Sequence, residues 1–500
     1  MEFWPISAKN CIKPASFPHN KRTNFQRSLI MSKMTTSLTE NMKYLNKYLS
    51  VDTSFDIIYR VIRIGGREAC MYLIDGFCKD DLMQKMLQYF ITIKEEDLPD
   101  NAHEMSKTCI PYVEVDLQDD WDKIAYFIMS GVFALFIEGY DKCLLIDSRS
   151  YPARGVEEPE KDKVLRGSKD GFVETVVFNT ALIRRRIRSN QLCMEMHHAG
   201  NSSQTDIVLC YMNDRVDHAF LTKLRERIDH IQVDALTMNQ ESLAECLYKK
   251  KWYNPFPKFK FTERPDTASA QILEGDVVIL VDNSPSAMIA PTSIFDIVEE
   301  ADDYYFPPIT GTYLRLSRFL IAILTYFITP TFLLLMQRPE WIPAGFEFIA
   351  VKEPTNVPLI WQFLILELAI DGLRLAAVNT PNMLSTPLSV MAALVLGEFS
   401  VNSGWFNSEV MLYMAFVAIA NYTQASYELS YAIKFMRIIN LILTALFGLW
   451  GYIGAVVLLI LAIVTNRTVS GKSYIYPLLP FNLKQLSKRL FRYRLPGSRE

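Results

Sequence analysis

Three uncharged apolar runs after residue 318 constrain this chain more than any other feature. Phe319–Met336 and Val410–Tyr427 are 18 residues long, and Ile438–Val464 is 27. A charge-free hydrophobic stretch of about 18 residues is long enough to cross a bilayer with its flanks. A buried helix of a water-soluble protein is the alternative, but such helices need a polar face that these runs lack. The 27-residue run suits one tilted span and is too short for two.

Less regular segments lie between these runs. Val357–Val378 is apolar apart from Glu367, Asp371 and Arg374, whose spacing of i, i+4, i+7 puts them on one helix face. Pro381 and Pro387 bracket a polar break before Leu388–Leu396, which is too short to span and reads as a re-entrant or interfacial piece. The resulting expectation is four spans, at 314–336, 357–378, 409–427 and 437–465. Arg315 and Arg318 before the first, with Arg467 and Lys472 after the last, place both flanks in the cytoplasm, which requires an even number of crossings. Lys434 and Arg437 then fall at the outer end, against the same rule. Lys9, Lys13 and prolines interrupt residues 1–20, so no secretory signal is read there and the front part is expected in the cytosol.

Net charge divides along the chain. Residues 1–36 carry a balance of +5 and residues 467–500 one of +7, so a total of −3 leaves −15 in between. All eight cysteines precede residue 247 without a C-x-x-C pair, which removes the common zinc and thioredoxin-like signatures and fits a reducing compartment. With half of its residues apolar, the chain is not disordered.

From Ser37-Leu-Thr-Glu40, a capping box, short apolar strands alternate with amphipathic helices. Strands are expected at Ala69–Asp75, Tyr112–Val115, Val132–Ile137, Lys142–Asp147, Leu192–His197, Asp206–Met212 and Val277–Asp282. Helices are expected at Lys79–Phe90, 120–130, Asp170–Arg188, Val216–Asp229, Gln240–Tyr248 and 292–300. The fold class is thus a cytosolic α/β region of two subdomains, 37–150 and 151–312, followed by an all-α transmembrane bundle, 313–466. A basic arm expected to be mobile, 1–36, and a basic cytoplasmic tail, 467–500, flank them. Walker, dinucleotide-binding and nucleophile-elbow motifs are absent from the sequence. His197 and His198 adjoin on a strand and point to opposite faces, a poor metal pair. Neither catalysis nor a cofactor nor a metal site is expected.

Arg149, Arg154, Arg166, Arg184–Arg186 and Arg188 can form an anion or nucleic-acid surface, or pair with Glu157, Glu158, Glu160, Asp170 and Glu174. Pairing is the favoured reading, since carboxylates are abundant nearby; no nucleic-acid partner is expected.

Several stretches resemble the A subunits of bacterial spore germinant receptors, the GerA family. They are Asp147-Ser-Arg149-Ser-Tyr151-Pro152-Ala-Arg154, Arg166-Gly167-Ser-Lys-Asp170-Gly171-Phe-Val-Glu174 and Asn179-Thr-Ala-Leu-Ile-Arg184-Arg185-Arg186-Ile187. Arg264-Pro265-Asp266, Leu273–Asp276, Asp302–Tyr305, Ala393–Gly397 and Ala445–Leu449 continue the likeness, which spans roughly residues 52–485. Leu38–Leu45 and Asp75–Asp81 look most like one variant branch of that family. The resemblance implies a homo-oligomer, a pentamer by family pattern, in the inner spore membrane. It also implies ion release and partnership with other germination membrane proteins. The 1–36 arm is extra, and Leu-Ala follows Arg374 where the family commonly has a proline.

A charge near a bilayer centre costs about 2.5–3.5 kcal/mol on insertion scales, so it faces a bundle interior or water. In a ring of subunits, Glu367 and Asp371 would form acidic rings that favour cations, with Arg374 beside them. The competing reading is an internal Asp371–Arg374 pair that holds helices together. At the level of the whole protein, an oligomeric channel subunit competes with a secondary transporter and with a non-conducting scaffold. Transporters are expected to carry inverted repeats, and none is visible here.

Overall fold

Ile57–Ile64 (β1) is an edge strand not expected from the sequence, because its exposed Ile58, Tyr59 and Val61 mask the usual alternation. The structure, a computed structural model, describes residues 33–78, 80–110, 114–148, 167–248, 253–379 and 397–493. After Leu38–Leu49 (α1) and β1, the first α/β unit contains Arg67–Ile74 (β2), Asp80–Thr92 (α2), Ala102–Thr108 (α3) and Val115–Gln118 (β3). Trp121–Met129 (α4), Phe133–Ile137 (β4) and Cys143–Ile146 (β5) complete it. Its strands pair antiparallel in the order β1-β2-β4-β5-β3. Helices α1 and α4 cover one face, and α2 and α3 the other.

The second unit repeats this plan. Val176–Arg186 (α5) precedes Leu192–Ala199 (β6), Thr205–Met212 (β7), His218–Asp229 (α6) and Asn239–Leu247 (α7). Lys260–Thr262 (β8), Pro265–Glu274 (α8), Val277–Val281 (β9) and Ala287–Ala290 (β10) follow. The order β6-β7-β9-β10-β8 is the same strand order as in the first unit, again all antiparallel. Helices α5 and α8 cover one face and α6 and α7 the other. The α/β region is therefore a structural duplication. In both units the inner strand, β4 or β9, is buried along its whole length and reads as an unbroken apolar run. Edge strands β1 and β8 and helices α3 and α8 were not legible by periodicity. The helix expected from Asp170 begins only at Val176, because Phe172 donates its N–H to the Glu263 carbonyl at 2.8 Å and Thr175, the N-cap, is extended.

Ile294–Val298 (α9) and Asp302–Tyr305 (α10) lead into the apolar helices. These are Pro308–Gln337 (α11), Leu359–Asn379 (α12), Ser408–Asn421 (α13), Tyr427–Phe447 (α14) and Leu449–Val464 (α15). Contacts fix their directions. Thr325 and Gln337 of α11 meet Arg437 and Thr444 of α14, so these two helices run parallel. Tyr326 and Thr331 meet Ala455 and Tyr452, so α15 runs back.

The expectation of one tilted span over 437–465 is thereby corrected: the run folds as a helical hairpin. Gly448 turns the chain at φ +58°, ψ −132°, and a Cβ at Gly451 would lie 1.9 Å from the Leu443 carbonyl oxygen. The physical reason lies upstream. Helix α14 starts at Tyr427 and carries Lys434 and Arg437 inside, so apolar length is not limited to the charge-free run. Only α11 and α14 are long and apolar enough to cross a membrane by length and composition; α13 and α15 are shorter apolar helices. Two helices, rather than the expected four, meet that test among the described residues. Gly448→Ala is expected to cost about 1–3 kcal/mol through backbone strain. The cost is read as a lower thermal midpoint in detergent, whereas Gly454→Ala, at a position with open space around it, leaves that midpoint unchanged.

At the two ends, residues 1–32 of the arm and 494–500 of the tail lie outside the described residues. Within the arm, residues 33–36 are in place, with Met34 buried and its N–H on the Asp119 carbonyl at 3.0 Å. Of the tail, residues 467–493 pack on the fold. Val469 enters the second unit's core, the Tyr474 carbonyl accepts from Ile294 N–H at 3.0 Å, and Leu483–Leu490 (α16) lies along the start of α11.

Candidate functional site

Glu367 and Asp371, one turn apart on α12, face Lys434 and Arg437 of α14. Arg437 Nε donates to Glu367 Oε1 at 2.8 Å and Nη2 lies 2.6 Å from the same oxygen, while Nη1 reaches the Thr325 carbonyl at 3.2 Å. Lys434 Nζ bridges Glu367 Oε2 at 3.2 Å and Asp371 Oδ2 at 2.5 Å. Glu367, Lys434 and Arg437 are buried, whereas the Asp371 side chain keeps 30% of its surface exposed. Two carboxylates and two cations thus close a neutral quartet inside the helices, which offsets the cost of burying each charge alone.

Arg374 does not pair with Asp371. Its guanidinium lies over the rings of Tyr422, Tyr431 and Tyr427, at 4.8, 5.2 and 6.0 Å from their centroids. The internal Asp371–Arg374 pair is therefore replaced by a quartet with α14 and an aromatic cage. Sequence reasoning missed Lys434, Arg437 and the tyrosines as partners. One signal was available: cations that broke the positive-inside rule, spaced i, i+3 against carboxylates spaced i, i+4.

Where the α/β region meets α11, a second charged network forms. Arg315 bonds Glu299 at 2.9 Å and Asp303 at 3.1 Å, and Arg318 bonds Glu300 at 2.8 Å and also Asp303. Both arginines are buried, so they act as structural ties as well as flanking charges. From α16, Arg489 reaches Asp296 at 2.6 Å and Glu299 at 3.3 Å. Nearby Asp276 is pushed up to about 7 by burial and by Asp296, against the pull of Arg489. The folded chain then keeps this proton up to about pH 7, whereas the unfolded chain releases it near 3.8. Stability from Asp276 therefore falls as pH rises between those values. Asp276→Asn is expected to raise the thermal midpoint more at about pH 8 than at about pH 5.

The family motifs serve the α/β fold. Arg184 is fully buried and forks onto Asp56 of the first unit, Nε to Oδ2 at 2.8 Å and Nη2 to Oδ1 at 3.0 Å. Its Nη1 caps the Ser189 and Leu192 carbonyls at 3.2 and 3.1 Å. Beside it, Phe55 N–H bonds the Met194 carbonyl at 3.0 Å, so the two units are stitched at β6. Arg186 pairs with Asp170 at 2.6 Å. Burial alone would raise the Asp170 carboxyl, but bonds from Arg186 and Ser168 hold it below the usual range. The Asn179 side chain clamps both backbone groups of Val173, at 2.8 and 2.6 Å.

Arg264, preceding Pro265 at the start of α8, holds Asp266 at 2.6 Å and the Ser168 carbonyl at 2.9 Å, and Tyr305 Oη donates to Asp266 at 2.5 Å. Gly167, at φ +126°, sits against the Tyr305 ring where a Cβ would be 2.4 Å away. Gly171 is buried, Glu174 is exposed with its carbonyl accepting from Asn283 N–H, and Asp147 N–H bonds the Glu114 carbonyl. Arg185 and Arg188 are exposed. Arginine pairing is thus observed for Arg184 and Arg186, though Arg184 takes Asp56, a partner from far upstream. His197 turns to Asp229 and His198 to Asp206. Arg149, Tyr151, Pro152, Arg154 and Arg166, and the run Leu388–Leu396, lie outside the described residues.

A duplicated α/β region tied by buried arginines to apolar helices defines a class in which an α/β part is joined to a helical, membrane-type part. A model of the family described as Bacillus/Clostridium GerA spore germination protein matches residues 43–500, and the chain belongs to that family. It is 36% identical over 462 residues to stage V sporulation protein AF of Bacillus subtilis (strain 168), covering 92% of this chain and 93% of that one. The variant branch suggested by Leu38–Leu45 and Asp75–Asp81 is thus the one containing that relative. Spore germination protein KA of the same organism is 27% identical over 474 residues, covering 92% and 85%. Among solved structures, the N-terminal domain of the A subunit of the Bacillus megaterium spore germinant receptor GerK3 aligns with 52% of this chain and 96% of its own. The identity there is 25% and the TM-score 0.40.

Proposed function

We propose that this chain is a GerA-type subunit that assembles as an oligomer, a pentamer by family pattern, into a cation-releasing channel of the inner spore membrane. In this reading both termini lie on the cytoplasmic side and other germination membrane proteins are its partners. The observation that carries it is the placement of Glu367 and Asp371 on α12. One carboxylate is locked inside, and the other is partly exposed at the edge of the quartet, where a neighbouring copy would add its own. Trp361, Ile365, Leu368, Gly372 and Leu375 make an exposed stripe along α12, an apolar surface suited to lipid or to an adjacent subunit.

Asp371→Asn is expected to change the rate or ion selectivity of potassium efflux from germinating spores. Glu367→Gln combined with it is expected to change them further. Efflux identical to the parent in rate and selectivity would remove the pore reading. The neutrality of the quartet favours a second reading, a non-conducting scaffold whose buried charges only fix helix positions. Reconstitution in planar bilayers separates the two, since silence from well-formed oligomers supports the scaffold.

A further inference from the structure

A cavity of about 590 Å³ opens where the second α/β unit meets the membrane-type helices. Its walls come from four places: α7 with Tyr248 after it, the 253–261 segment, the first turns of α14, and the end of α15 with the residues after it. This volume lies within the usual range of small-ligand sites, about 300–1,000 Å³. Polarity is graded along it. Ala432 and Phe435 lie one to two turns into α14 and are apolar, with Phe435 exposed outward. Lys258, Asn466 and Arg467 lie toward the α/β side.

The polar end is built. Asn466 is 4% exposed, and its Oδ1 accepts from Lys258 Nζ, which also bonds the Arg467 carbonyl at 2.5 Å. Lys258 lies over the Tyr248 ring at 4.7 Å. The amide nitrogen Nδ2 of Asn466 is buried and has no hydrogen-bond partner among the described residues, although the residue lines the cavity. A buried donor left unmade costs about 1–3 kcal/mol, so this amide calls for an acceptor. Two nearby cations make an anionic acceptor the best fit. If α11 and α14 cross a bilayer, the cavity lies at the level of the headgroups, with its apolar wall toward the acyl chains.

From this geometry we infer that the cavity binds a phospholipid, its phosphate on Asn466 Nδ2, Lys258 and Arg467 and its chains along Ala432 and Phe435. The inference rests on the membrane reading under Proposed function and adds a ligand to it. Glu241 and Glu428 also line the cavity.

The full chain, purified in mild detergent, is examined by native mass spectrometry after exchange into nanodiscs of phosphatidylethanolamine and phosphatidylglycerol. About one phospholipid per chain is expected to stay bound. Asn466→Asp keeps the acceptor for Lys258 but removes the amide donor and adds a repelling carboxylate, so retention is expected to fall about tenfold or more. Arg467→Gln, at an exposed position, is expected to weaken retention without lowering the thermal midpoint. Equal retention by the parent and both variants overturns the inference. So does occupancy by inorganic phosphate or glycerol phosphate with no bound lipid, which would assign the cavity to a free anion. Carbonate extraction of the same membranes tests the underlying reading separately: release of the chain would sink the membrane placement, whatever the lipid result.

Discussion

Arg437→Leu is expected to destabilise the detergent-solubilised protein by about 3–5 kcal/mol, the cost of leaving a buried charge without its partner. Arg437 is fully buried and gives Glu367 its shortest contact, 2.6 Å. Removing it leaves Glu367 with Lys434 alone, and Lys434 is shared with Asp371. Adding Glu367→Gln to Arg437→Leu removes the orphaned charge and is expected to recover a measurable part of the loss. A coupling of about 0.5–3 kcal/mol is the range for residues in contact. Thermal unfolding of the single and double variants checks this, and strictly additive losses would show that the two residues do not act as a pair. Lys434→Met is expected to cost less, because Asp371 is partly exposed and water can screen it.

Arg184→Leu is expected to cost a similar 3–5 kcal/mol at the junction of the two α/β units. The substitution strands the buried Asp56 and uncaps the Ser189 and Leu192 carbonyls. Arg184→Lys is not expected to rescue it, since a single ammonium cannot reproduce the two-pronged contact at 2.8 and 3.0 Å. Denaturant unfolding measures the loss, and limited proteolysis near Ser50–Phe55 reports whether the junction opens. Arg185→Gln and Arg188→Gln, at exposed positions of the same basic run, are expected to change stability by less than about 0.5 kcal/mol. The contrast separates one buried tie from a generally basic surface.

Much of the α/β order was legible because inner strands such as β4 and β9 are continuous apolar runs and helices such as α4 and α6 carry clear amphipathic stripes. Edge strands β1 and β8 and the duplication were not. β1 exposes Ile58, Tyr59 and Val61, β8 is three residues long, and the repeat shows itself only in the strand order. At the quartet, the carboxylate face of α12 was legible from its spacing, but its partners lie 67 and 70 residues away on α14. Periodicity describes one helix at a time and cannot pair two.

What the sequence by itself determined is local: an α/β part, an apolar helical part, the GerA motifs, and a charged face on α12. The tertiary structure decided which charges neutralise which. It gave Arg184 to Asp56, Arg374 to a tyrosine cage, and Glu367 and Asp371 to Lys434 and Arg437. It also folded the longest apolar run into a hairpin at Gly448. The reason is physical: propensity and periodicity act over a turn or two of chain, whereas buried charge must find its opposite wherever packing brings it.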